Sequence, residues 1–77
     1  MMIRILYFGQ IAEAVGKSEE LVDAKVFDAG VRAYFETKYP VLVSLSYRIA
    51  IDREIREELL AGEQPNEISL LPPFAGG

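Results

Sequence analysis

The sequence predicts an α+β roll, a mixed sheet of four to five strands with one long helix across one face. Three observations predict it. Short β-branched or aromatic runs with strand-like alternation recur at residues 3–8, 20–26, 47–52 and 67–71. A single stretch, 28–39, repeats its apolar residues at long-helix spacing. Seventy-seven residues, 51% of them hydrophobic, are enough for one small core and too few for two.

The first strand, Ile-Arg-Ile-Leu-Tyr-Phe at 3–8, sets Ile3, Ile5 and Tyr7 on one face and Arg4, Leu6 and Phe8 on the other. Both faces are partly apolar, which suits a central strand. "IAEAVG" offers one or two helical turns, with Gly16 as their stop. A second strand over 20–26 carries Val22, Ala24 and Val26 on one side and pairs hairpin-like with the first. Asp28 is placed to cap the long helix, along which Val31, Tyr34, Phe35 and Tyr39 recur, and Pro40 closes it. "YRIAID" alternates Tyr47, Ile49 and Ile51 against Arg48, Ala50 and Asp52. "REIREELLAGEQPN" reads as a turn, a short edge strand near Ile55 and a helical turn around Leu59 and Leu60, broken by Gly62 and Pro65. "EISLL" is the last strand. One helix covers one face of a sheet, and this order fits a β-grasp, or ubiquitin-like, roll with the first and last strands parallel at its centre.

The inventory excludes much chemistry. There is no Cys and no His, hence no disulfide, thiolate nucleophile, zinc site or imidazole acid–base catalyst. The formal charge is −4 and no basic stripe with interleaved aromatics appears, which argues against nucleic acid as a partner. No apolar run is long enough to span a bilayer, and "MMIRILYF" lacks the marks of a leader, so a cytoplasmic protein is expected. Glu54, Glu57, Glu58 and Glu63 form an acidic stretch that reads as a solvated face, with a surface turned to a basic partner site as the alternative.

The closing "LLPPFAGG" carries the sharpest signal. Pro72 and Pro73 cannot extend a central ladder and favour an extended backbone, which divides the chain into a domain at 1–72 and a flexible tail at 73–77. The five residues after Pro72 reach roughly 17 Å when extended. Gly76 and Gly77 have no Cβ and fit a channel too narrow for other residues. The group at the end is the Gly77 carboxylate, ionised at neutral pH and a poor acyl donor until a partner joins it to AMP. Sulfur replacing AMP would then give a thiocarboxylate, a nucleophile that needs no cysteine.

With these residues in view, the chain resembles the small, sulfur-carrier subunits of molybdopterin synthase. The resemblance covers "IRILYFGQIAEAVG", "VFDAGVRAYFETKYP", "RIAIDREI" and "EISLLPPFAGG", nearly the whole sequence, and is most specific at the final eight residues. It implies that Gly77 is adenylated by a separate ATP-dependent activating enzyme and then thiocarboxylated. It implies that Pro73, Phe74, Ala75 and Gly76 insert with it into the large synthase subunit, where sulfur passes to a pterin precursor. Two copies of each subunit, no cofactor or metal bound by this chain, and no activity alone are the further implications. Phe8, Ile55 and Leu71 match apolar positions used against partners, and Phe8 and Leu71 would share an outer-face patch if their strands are neighbours.

Three departures stand out. "QPNEI" replaces a common Gly-Asp turn before the last strand, "IDRE" replaces an Asn-Gly-like turn, and Phe74 stands where a smaller aliphatic residue is usual. A carrier for thiazole biosynthesis, a ubiquitin-like modifier conjugated through Gly77, and a plain interaction domain are the competing readings.

Overall fold

The computed structural model describes residues 1–73. Five strands and two helices follow one another as β1 (Met2–Tyr7), α1 (Gly9–Val15), β2 (Glu19–Asp23), α2 (Val31–Lys38), β3 (Arg48–Ile51), β4 (Glu54–Ile55) and β5 (Glu67–Leu71). The sheet order is β2-β1-β5-β3-β4. β1 and β5 run parallel at its centre, paired Ile5 to Ile68 and Tyr7 to Leu70, and every other pairing is antiparallel. This is the expected β-grasp roll.

Alternation decides the faces. Ile3, Ile5, Tyr7, Val22, Ile49, Ile51, Ile68 and Leu70 point inward and are buried against Val31 and Phe35 of α2, with Ile11, Phe27, Leu42 and Tyr47 completing the core. Edge-on aromatic pairs between Tyr7 and Phe35 and between Tyr34 and Phe35 add directional packing to that burial.

Several expectations are corrected. β2 stops at Asp23 and a 3₁₀ turn follows at Ala24–Phe27, so Ala24 and Val26 do not extend the strand. The last ladder pair is Met2 with Asp23, the Met1 carbonyl accepts from Ala24 N, and the Asp23 carboxylate accepts from Lys25 N at 2.9 Å and turns the chain. Asp28 closes that turn rather than capping α2. The N-cap of α2 is Gly30 (φ 113°), and the first free amide, Val31 N, donates to Glu58 Oε1 at 2.8 Å. α2 ends at Lys38, before Pro40, but the chain coils on as a 3₁₀ helix over Pro40–Ser44. At eight residues α2 is one residue longer than α1, not a long helix beside a stub. No helix forms at Leu59 and Leu60, where Glu63 instead accepts from Leu60 N.

The two altered turns hold each other. Asp52 and Arg53 both have positive φ (49° and 71°), the geometry of a tight two-residue hairpin turn between β3 and β4. Asp52 Oδ1 then accepts from Asn66 N and Glu67 N at 2.9 and 3.1 Å, pinning "QPNEI" at the start of β5.

Candidate functional site

The chain leaves the sheet at the C-terminal end of β5. Leu71 is the last paired residue, opposite Arg48 of β3, and Pro72 and Pro73 follow outside the ladder, half-buried. Phe8, the residue between β1 and α1, keeps an extended backbone and donates its amide to Leu70 O at 3.2 Å. The register of β1 on β5, carried one residue further, sets Phe8 beside Leu71. Phe74, Ala75, Gly76 and Gly77 lie outside the described residues.

The face of the sheet away from the helices is the surface next to this exit. Pairing places Leu6, Ser69, Ala50 and Ile55 in one row across four strands, with Arg4 and Leu21 paired one step along. Ser69 and Ala50 are buried between taller neighbours, whereas Phe8 is 44% and Ile55 55% exposed and Leu71 is half-buried. None of these three residues belongs to the core cluster. Phe8 and Leu71 are thus brought together and Ile55 sits on the same face two strands away. Leu21, 62% exposed, adds an apolar residue there. Its signal was present in the sequence, because in β2 the odd positions oppose Val22.

Charge on the molecule is mostly used internally. The Glu20 carboxylate, on the inner side of β2, accepts from the Tyr7 hydroxyl, the Tyr39 hydroxyl at 2.8 Å and Lys38 Nζ at 3.0 Å. Burial pushes its pKa up, but these donors outweigh burial and hold it at about 2. Burial, then the hydrogen bond to Glu20, push the Tyr7 phenol up. The acidic stretch read as a solvated face is engaged residue by residue. Glu57 pairs with Arg32 at 2.8 Å, Glu58 caps α2, and Glu63 binds Arg56 and Leu60 N. Glu54 lies 3.6 Å from Arg56. An open groove lined by Asp52, Arg53, Asn66 and Glu67 lies at the start of β5, the opposite end from the tail's exit. Among the described residues no cluster of three or more acidic side chains could hold a metal ion, and no helix is long and apolar enough to cross a membrane.

What the arrangement offers is a backbone exit beside an apolar face, with no catalytic side-chain constellation among the described residues. A molybdopterin synthase sulfur carrier subunit from Caenorhabditis briggsae is 33% identical over 84 aligned residues, spanning 97% of this chain and 96% of that protein. The chain belongs to the family of molybdopterin synthase sulfur carrier subunits. The solved structure of SAMP1 from Haloferax volcanii matches all of this chain and all of its own with a TM-score of 0.64 at 23% identity, which supports the β-grasp fold. No protein-family model matches the chain.

Proposed function

We propose that the chain is the sulfur-carrying subunit of molybdopterin synthase, acting through Gly77. The observation that carries this reading is the kinship, over nearly its whole length, to a protein of that name. The exit of the chain beside an apolar face supports it, because a delivered tail needs a docking surface at its root.

The chemistry follows from the terminal group. An oxygen of the Gly77 carboxylate attacks the α-phosphorus of ATP on an activating enzyme. The bond to pyrophosphate breaks, and a mixed anhydride with AMP remains. Hydrosulfide-level sulfur then attacks the acyl carbon, AMP departs with the bridging oxygen, and a thiocarboxylate is left. On the large synthase subunit that sulfur attacks a carbon of a pterin precursor and displaces an oxygen substituent, which leaves with the bonding electron pair. Water completes the cleavage of its bond to the glycine carbonyl and restores the carboxylate. Residues 1–72 form the docking body and 73–77 the delivery tail, with Pro73, Phe74, Ala75 and Gly76 lining the insertion and Phe8, Ile55 and Leu71 meeting the partner. The chain itself binds no cofactor, works in the cytoplasm, and joins two large subunits as one of two copies.

Intact mass tests this directly. After incubation with ATP, a sulfide source and a carrier-activating enzyme, the protein gains the mass of one oxygen-to-sulfur exchange, located at Gly77. A variant lacking Gly77 keeps its fold and gains nothing. An unchanged mass in the intact chain overturns the reading. Copurification with a large synthase subunit, rather than with thiazole enzymes, identifies the pathway.

A further inference from the structure

Two residues hold the root of the tail, and one of them has no side chain. Phe8 N ties the end of β1 to Leu70 O. The next residue, Gly9, has φ +54°, and a Cβ built there would lie 2.9 Å from Pro72 Cγ and 3.8 Å from Pro72 Cδ. Contact at 2.9 Å is closer than carbon atoms tolerate, so the Pro72 ring occupies space that only a glycine leaves open. Pro72 has no amide hydrogen and its φ is fixed by its ring, so no ladder bond sets its orientation. The missing side chain of Gly9 leaves the room that the ring occupies. Gly16 and Gly62 also have positive φ, but a Cβ at either would meet nothing within 4 Å. The requirement at Gly9 is therefore steric as well as conformational.

We propose that Gly9 is a positioning residue for the tail: its missing side chain seats the Pro72 ring and so fixes the heading with which the backbone leaves β5. The inference rests on the carrier function proposed above. Its leverage is geometric. The five residues after Pro72 reach roughly 17 Å when extended, so a change of heading at Pro72 redirects the path along which they leave the sheet. Misplacing a reacting atom by even about 1 Å can cost on the order of a hundredfold in rate, although a gripping channel recovers part of that loss.

The test is a steady-state assay of pyrophosphate release with ATP, a sulfide source and a purified carrier-activating enzyme, varying the concentration of the chain. Gly9→Ala lowers kcat by about 5–10-fold and leaves the KM for the chain within about twofold, because the apolar docking face is untouched. Pro72→Ala lowers kcat by about threefold, and the double variant returns to the level of Pro72→Ala alone, since the clashing ring is gone. Gly16→Ala, with comparable backbone strain and no neighbour, changes neither constant. Should Gly9→Ala fail to fold, Pro72→Ala carries the test alone. An unchanged kcat in Gly9→Ala or in Pro72→Ala, equal losses in Gly9→Ala and Gly16→Ala, or losses that multiply in the double variant each overturn the positioning role. If the wild-type chain supports no pyrophosphate release, the carrier function itself falls and this role with it.

Discussion

Glu20 ties three parts of the fold together through one carboxylate. From β2 it accepts from Tyr7 on β1, from Lys38 at the end of α2 and from Tyr39 just beyond it. Hydrogen bonds to a charged partner contribute about 1.5–3 kcal/mol each when formed in place of water, and leaving such donors unpaired costs a similar amount. Glu20→Gln keeps the shape and loses the charge, so it is expected to destabilise the protein by about 1–3 kcal/mol at pH 7 in urea unfolding. The pH dependence has a definite sign. The folded carboxyl is depressed from 4.5 to about 2, so its contribution is complete above pH 4.5 and is lost as pH falls through about 2. The gap between wild type and variant should therefore narrow below pH 4.5 and close near pH 2. A gap that stays constant across that window would show that charge is not what Glu20 supplies. Its parity with Val22 already placed Glu20 on the inner face in the sequence. Its partners were not readable there, because Tyr39 and Lys38 meet it only through the folding of α2 onto the sheet.

At the scale of elements, α2 is begun by a residue far away in sequence. A glycine N-cap has no side chain to satisfy the first amide, and Glu58, 27 residues on, supplies the acceptor at 2.8 Å. The capping carboxylate also sits at the positive end of the helix dipole. Glu58→Ala is expected to cost about 0.5–2 kcal/mol in equilibrium unfolding, the usual price of a lost cap, with the sheet signature unchanged. Loss of less than a few tenths would mean that water replaces the carboxylate. Strand elements were legible because period-two patterns are local: β1, β3 and β5 fall within one or two residues of their expected bounds. The errors cluster where a long-range bond decides. Asp28 was the only local candidate for a cap, whereas the actual cap comes from a loop that was expected to coil. Pro72 was legible as a strand stop, but the glycine that seats it, 63 positions earlier, carried no sign of that role.

The whole molecule is a sheet with two different faces, one spent on the core and one that carries exposed apolar residues among charged ones beside the exit of the chain. The central parallel pair was expected from the order of the elements, which fits a β-grasp roll, and the outward placement of Phe8 and Leu71 was legible from alternation, since strand parity assigns each side chain to a face once β1 and β5 are neighbours. That division predicts opposite responses to the same substitution. Ile5 and Ile68 are fully buried, so Ile5→Asp or Ile68→Asp places an unpaired charge in the core and should leave no cooperative melt. Phe8→Asp and Ile55→Asp replace exposed residues, which ordinarily changes stability by about 0.5 kcal/mol or less and shifts the melting midpoint by less than about 4 °C. Phe8 is also the N-cap of α1 and makes no side-chain cap bond, so aspartate there gains a capping role that offsets lost packing. Their cost should fall on association instead. If the outer face docks onto the large synthase subunit, burying an aspartate at either position should weaken that complex by about tenfold or more in titration calorimetry. The same substitution at Lys25, an exposed residue of the 3₁₀ turn that follows β2, should leave the affinity within about twofold. A complex indifferent to Phe8→Asp and Ile55→Asp would move the docking surface to another face, and a melt lost in either variant would assign these residues to the fold.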